Sequence, residues 1–458
     1  MKQHPVVSRR QLITSGAIST LAAPAILKAR SPNNTIGLAV LGFGIRARNV
    51  VATMGHVHPK QKRGAGGYGV ISREDRVNRG YGGVSPEGAG QFKDVEVRAV
   101  CDIWEDGRAY AKEMFGNRLK TPADYRQVLQ DPDIDAVFIM TPDHWHAQMG
   151  IDAAGAGKDV FIEKCPTRSV EEGVALKKAV ENAGSILQLN ESVHQNPLYH
   201  KMREIVQSGM LGPVRHVETH TYRNTASGAW QYPIPSNLTP ETIDWKEFLG
   251  PAPYRPFDAE RIIRWRCYWD YSTGIAGDMF SHRIGAVNLV MGTHIPQTAS
   301  ASGGVYHWHD GRETPDVYHA VNEYPDRGLT ITYSANLATT NGEGTIYRGA
   351  DAAMTGGKNG VAIYAEPSSR KYASKFKSGE YQRGKPSEVI PVELPTHLGP
   401  QWDRVLHLRE FFDCMRSRKQ PSCGMHECFG EDISCHLGTL AYMNKRQMTW
   451  DADRLRAV

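Results

Sequence analysis

The stretch Thr35-Ile36-Gly37-Leu38-Ala39-Val40-Leu41-Gly42-Phe43-Gly44-Ile45-Arg46-Ala47 sets an apolar run directly before a G-x-G-x-x-A turn. The run is short enough for a buried strand, and Val50-Val51-Ala52-Thr53-Met54 supplies a helix after the turn. In such a unit the first glycine permits the tight turn, and the second lets backbone approach a pyrophosphate. The small third residue lets helix and strand pack closely. The helix N-terminus offers free N–H groups and a positive dipole end to phosphates.

Working outward, strands and helices alternate. Strands are expected at Val95–Cys101, Ile134–Met140, Asp159–Ile162 and Ile186–Leu189, with helices at Asp106–Phe115, Ala147–Ala156 and Val170–Ala183. That rhythm predicts an α/β fold, a doubly wound parallel sheet of Rossmann type over 34–190. Residues 55–93 break it with ten glycines and no apolar periodicity, and read as an inserted loop. Beyond 190, strand patterns at Val214–Arg223, Val317–Tyr324 and Leu329–Ala335 follow one another without helices between them. They predict a C-terminal α+β domain over 191–458 with an open, largely antiparallel sheet. Helices at Arg404–Arg416 and Glu431–Arg446 close the chain.

The 458 residues carry a net charge of +5, and Lys2, Arg9, Arg10, Lys28 and Arg30 account for it. The remainder is close to neutral, so neither nucleic acid nor an anionic membrane is an expected partner. Ser8-Arg9-Arg10-Gln11-Leu12-Ile13, the mildly apolar run to Leu27 and Ala23-Pro24-Ala25 read as a twin-arginine signal peptide over 1–30. The expected location is therefore the periplasm. The run is too short and polar for a membrane span. The cluster Cys423, His426, Cys428, Cys435, His436 contains no C-x-x-C pair, so buried or free thiols are expected and no metal site.

Asp102 closes the second strand where a ribose hydroxyl would lie. A carboxylate there favours NAD over NADP, because it repels a 2′-phosphate. It stands 60 residues after Gly42 rather than about 20, an excess attributed to the 55–93 insertion. Thr141-Pro142-Asp143-His144-Trp145-His146 follows the third strand, at the edge that lines the ligand crevice, with His146 open to a structural or a functional role. Glu163-Lys164-Cys165-Pro166-Thr167 follows the fourth, and Lys164 there can polarise a hydroxyl or carbonyl. Asp278 and His282 open a helix that runs through Ile284, Val287 and Val290. The histidine can take a hydroxyl proton, and the acid one turn away can orient it or bind a neighbouring hydroxyl. Gly285 on the same face is expected to leave room for a ligand.

Together these motifs resemble the glucose–fructose oxidoreductase / inositol dehydrogenase / MocA family of NAD(P)-dependent oxidoreductases, from about Thr35 to Asp451. The resemblance implies catalytic roles for Lys164, Asp278 and His282. It implies cofactor contacts from Gly42, Phe43, Gly44, Ile45, Arg46, Asp102, Thr141, Pro142, His146, Glu163, Lys164 and Asn190. Proline usually follows the family lysine, whereas here Cys165 does, with Pro166 one place later. The implied activity is NAD-dependent oxidation of a secondary hydroxyl of a sugar, glycoside or cyclitol. The alternative is glycoside hydrolysis by transient oxidation, elimination and re-reduction. A homo-oligomer built through the C-terminal sheet is also implied.

Overall fold

The structure, a computed structural model, describes residues 35–59, 62–64, 67–70, 86–342 and 344–458. The expected signal peptide and much of the 55–93 insertion lie outside the described residues. The described parts of that insertion include an antiparallel pair, Lys62–Gly64 with Gly67–Val70, and a short helix at Pro86–Ala89.

Five parallel strands form the first sheet: β1 (Ile36–Leu41), β2 (Val95–Cys101), β3 (Ala136–Ile139), β4 (Asp159–Ile162) and β5 (Leu187–Leu189), in the order β2-β1-β3-β4-β5. β1, β3, β4 and β5 are buried at every residue, the pattern of a sheet covered on both faces. Outside β2 a further parallel strand survives as one bridge, Ala99 to Lys120. The crossovers are α1 (Ile45–Thr53), α2 (Glu105–Phe115), α3 (Asp143–Gly155) and α4 (Val170–Ala183). Strand order reverses between β1 and β3, so the crevice at their carboxyl ends is the expected ligand site of such a sheet.

α3 starts at Asp143, four residues earlier than the sequence pattern suggests. Pro142 sits at the N-cap with an extended backbone, and the helix absorbs the whole Asp143–His146 motif. α5 (Pro197–Gln207) then leads into a ten-stranded sheet. Its strands are β6 (Val214–Tyr222), β7 (Thr298–Gly304), β8 (Val317–Tyr324), β9 (Leu329–Asn336), β10 (Gly344–Gly349), β11 (Ala352–Gly357), β12 (Gly360–Ala365), β13 (Glu388–Ile390), β14 (Met448–Asp451) and β15 (Arg456–Ala457). They pair antiparallel except β6 with β9, which run parallel. α6 (Ser281–Met291) follows a π-helical turn at Ala276–Phe280. Phe280 stacks on Tyr333 of β9 with ring centroids 4.5 Å apart, tying that turn to the sheet.

The last helices return to the first sheet. α7 (Trp402–Ser417) buries Phe411 and Phe412 against Phe138 and Phe161, and burial of such a ring contributes roughly 1.5–3 kcal/mol. His407 Nε2 donates to Leu189 O at 2.8 Å, and Gln188 Nε2 donates to His407 O at 2.7 Å, so α7 also pins β5. α8 (Met425–Asn444) is buried along most of its length against α4, β7 and α6. The chain thus returns to the first sheet after residue 190 before its last two strands rejoin the large one. All seven cysteines are free and buried. Among the described residues no helix is long and apolar enough to cross a membrane.

Candidate active site

The glycine turn is shaped to receive a dinucleotide. Gly42 has φ +81°, and a Cβ there would come within 3.0 Å of Met140 O, so glycine is required. A Cβ at Gly44 would meet nothing within 4 Å, which marks open space in front of the turn. α1 begins there with no side-chain cap and no acidic residue in its first turn, so its N–H groups stay available to an anion. Ala47 is fully buried, as close helix–strand packing demands. Ile45 is largely exposed beside this cradle.

Asp102 follows β2 beside the glycine turn. Its Oδ2 accepts from Phe43 N at 2.6 Å, and its Oδ1 from Trp104 N at 2.8 Å. Burial pushes this carboxyl up, opposed by those two backbone donors. Each oxygen retains a lone pair, so the same group can take a ribose hydroxyl.

The ends of β4 and β5 each present two consecutive residues to opposite sides, as strand pleating requires. Glu163 and Asn190 turn toward the glycine cradle. Glu163 Oε1 accepts from Arg46 Nε at 2.5 Å and from Asn190 Nδ2. Burial acts to raise Glu163, but Arg46 prevails and holds it below its usual value. Lys164 and Glu191 turn toward the C-terminal domain. Lys164 Nζ donates to Asp278 Oδ1 and to Asp278 O, both at 2.6 Å, leaving one of its three N–H bonds for another oxygen. The lysine is therefore a buried one paired across domains, and Glu163 is not its partner.

Asp278 also accepts from Arg266 Nε at 2.8 Å and, through Oδ2, from Trp230 Nε1 at 3.2 Å. Burial alone would raise this carboxyl; Lys164 and Arg266 instead hold it well below the carboxylate range. With two cations on one carboxylate, the cluster keeps an excess positive charge. Trp230 holds a φ of 65°, a left-handed conformation uncommon for a bulky residue and one that is over-determined by its surroundings.

His282 takes a different acid from the one the sequence spacing suggested. Its Nδ1 lies 2.5 Å from Glu191 Oε2, while Asp278 accepts from Lys164, Arg266 and Trp230 instead. Glu191 is buried, which alone would raise it, and His282 draws it below its usual value. The His282 side chain is 39% exposed, and Glu191 engages its Nδ1. An imidazole oriented by a buried carboxylate and open at the other nitrogen can accept a proton.

Four further sequence expectations are corrected or refined. The space beside Gly285 is filled by protein, because a Cβ there would lie 2.5 Å from Glu431 Oε1. His146 spends both ring nitrogens on backbone, with Nδ1 2.6 Å from Cys165 O and Nε2 2.7 Å from Thr141 O. It positions the lysine loop and has no nitrogen left for a cofactor. Thr141 Oγ1 lies against Met149 Sδ at 3.8 Å, and Pro142 serves as the α3 N-cap. Cys165, in place of the family proline, directs its thiol to Asp432 Oδ1 at 3.2 Å, and Lys164 still reaches Asp278. The Lys164–Cys165 peptide is cis.

Sequence reasoning missed Glu191, Arg266, Trp230 and Asp143. Glu191 was findable, since it follows Asn190 at the same sheet edge as Lys164. Asp143 accepts from Thr273 N and Oγ1 at 3.2 and 3.0 Å and ties α3 to the segment before the π turn. Arg266 and Trp230 lie in irregular segments with no motif.

This architecture defines a two-domain dinucleotide-binding protein with a buried lysine–carboxylate pair at the domain junction. The oxidoreductase family with an NAD-binding Rossmann fold, Gfo/Idh/MocA, matches residues 80–191, and its C-terminal alpha/beta domain matches residues 196–377. The chain belongs to the Gfo/Idh/MocA family. It is 27% identical over 218 residues to a levoglucosan dehydrogenase of Pseudarthrobacter phenanthrenivorans, covering 45% of this chain and 48% of that protein. It is 28% identical over 225 residues to an alpha-N-acetylgalactosaminidase of Shewanella oneidensis, covering 43% and 47%. The chain thus spans about half the length of these curated relatives. The fold superposes on a levoglucosan dehydrogenase in complex with NADH with a TM-score of 0.62 and 14% identity, covering 90% of this chain and 98% of that one.

Asp278→Ala would strand Lys164 and Arg266 without their buried counter-charge. The expected loss is about 3–5 kcal/mol of unfolding free energy, read by urea denaturation at pH 7. A variant as stable as the parent would show that the cluster is not held by the pair.

Proposed function

We propose that this protein is an NAD-dependent oxidoreductase that oxidises a secondary hydroxyl of a sugar, glycoside or cyclitol. The observation that carries the reading is the pair of strand ends at which Lys164 and Glu191 face one cleft while Glu163 and Asn190 face the glycine cradle. NAD, when bound, supplies the hydride acceptor. Lys164 uses its third N–H bond to hold the substrate oxygen, and the excess positive charge around Asp278 favours that oxygen as an alkoxide. His282 takes the hydroxyl proton at Nε2, while Glu191 fixes its ring. Asp278 acts through Lys164 and not as a base, since all its acceptor contacts are with cations and an indole.

The test is NADH formation across a panel of sugars, glycosides and cyclitols. Lys164→Ala is expected to lower kcat at least about 10²–10³-fold, and His282→Asn about 10²–10⁴-fold, with NAD affinity retained in both. Activity of Lys164→Ala near the parent's level sinks the assignment. The similarity to an alpha-N-acetylgalactosaminidase favours one second reading, net glycoside hydrolysis by transient oxidation, elimination and re-reduction on the same residues. Release of the aglycone from an aryl glycoside without net NADH selects it.

Two finer assignments accompany this reading. Arg9 and Arg10 address the protein to the twin-arginine route and the periplasm, and lysine at both positions is expected to retain it in the cytoplasm. The half-exposed face of the large sheet, which carries Val321 at 37% exposure, is assigned as the contact between copies of the chain. Val321→Arg is then expected to shift the sedimenting species to monomer, and an unchanged species rejects that face.

A further inference from the structure

Among the described residues, two buried trios bring three potential ligand atoms within 4.8 Å of one another: Cys165, Asp432 and His436, and His194, Cys423 and Glu431. The first trio is already satisfied. Thr167 Oγ1 lies 2.5 Å from Asp432 Oδ2 and 2.9 Å from His436 Nε2, and the Cys165 thiol reaches Asp432 Oδ1. The second is not. Glu431 Oε2 has no hydrogen-bond partner, and His194 Nε2 meets Glu431 only at ion-pair distance, although His194 is 7% exposed, Glu431 2% and Cys423 fully buried. Leaving such buried groups without a hydrogen bond is unfavourable.

Their spacing is informative. His194 Nε2 stands 3.6 Å from Glu431 Oε1, and Cys423 Sγ stands 3.9 Å from the same oxygen. Direct N–H···O bonding would draw the first pair to about 2.7–3.2 Å. Ligands at about 2.0–2.3 Å around a tetrahedral cation stand roughly 3.3–3.8 Å from one another. Both separations suit ligands of one cation, and all three atoms lie within 4.8 Å of one another.

We propose that His194, Cys423 and Glu431 form a divalent-cation site suited to zinc. Imidazole, thiolate and carboxylate are the zinc ligand set, whereas calcium and magnesium want oxygen alone. The site is built from separate elements. His194 lies on the 3₁₀ turn Ser192–Gln195, just after Glu191. Cys423 is held at the end of β5, where Leu189 N donates to Cys423 O at 3.0 Å. Glu431 comes from α8, and its carboxylate occupies the space that the missing side chain of Gly285 leaves on α6. Glu191 is within electrostatic reach of all three groups, so a cation there fixes the segment that carries the acid behind His282. Its role is positional, and the site stands or falls independently of the reaction proposed above.

The test uses the untagged full chain incubated with zinc sulfate, freed of unbound metal by gel filtration and analysed by mass spectrometry for metal. About one zinc per chain is expected, falling at least about tenfold in Cys423→Ser/Glu431→Gln. Cobalt(II) in place of zinc should give the parent a thiolate-to-metal charge-transfer band in the near ultraviolet, absent from Cys423→Ser. If the variants fail to fold, the parent's cobalt spectrum decides alone. A parent that retains under about a tenth of a zinc per chain overturns the site, as does one without the cobalt band. A folded Cys423→Ser that keeps both metal and band overturns it as well.

Discussion

A lysine side chain that is 9% exposed needs a fixed counter-charge, and here the C-terminal domain supplies the one it bonds. Lys164, at the end of a parallel strand, meets Asp278 on the π turn, and Arg266 closes on the same carboxylate. Removing one member of such a group costs more than the group contributes, because the remaining charge is left in a medium that solvates it poorly. The pair therefore sets where the C-terminal domain sits against the sheet. It also keeps Asp278 ionised and leaves one N–H bond of the lysine uncommitted.

The neighbouring strand repeats the arrangement with other chemistry. Pleating sends Glu163 and Asn190 one way and Lys164 and Glu191 the other, so four consecutive-pair residues serve two compartments. On the cradle side, Arg46 and Asn190 both donate to Glu163 and stiffen the rim of the glycine turn. On the cleft side, Glu191 orients His282 while Asp278 serves Lys164. Keeping the two carboxylates on separate partners divides proton acceptance from charge stabilisation.

The helices that close the chain explain why this geometry holds. α7 clamps β5 through His407 and Gln188, and its Phe411 and Phe412 complete the core beneath β3 and β4. α8 runs between the two sheets and carries Asp432, which anchors Cys165 and Thr167, and Glu431, which faces His194. Both strand ends that bear the site are thereby braced from the far end of the sequence.

The sequence by itself determined the parallel sheet, its glycine turn and the strand ends bearing Asp102 and Lys164. Those features are local: apolar runs of strand length, a turn that demands glycine, and a polar residue where the run stops. The spans of the first sheet and its crossover helices followed from the same periodicities, with α3 beginning early because Pro142 caps it, whereas only three of the ten strands of the large sheet were legible. Tertiary structure alone decided who partners whom. Asp278 and His282 are four apart, and spacing left the acid either to orient the histidine or to bind a neighbouring hydroxyl; in the fold Asp278 takes Lys164, Arg266 and Trp230, and His282 takes Glu191. The room expected at Gly285 went to Glu431 for the same reason. Partner choice depends on which buried charges share a low-dielectric space, and residues such as Arg266, Trp230 and His194 enter that space only once the chain has folded.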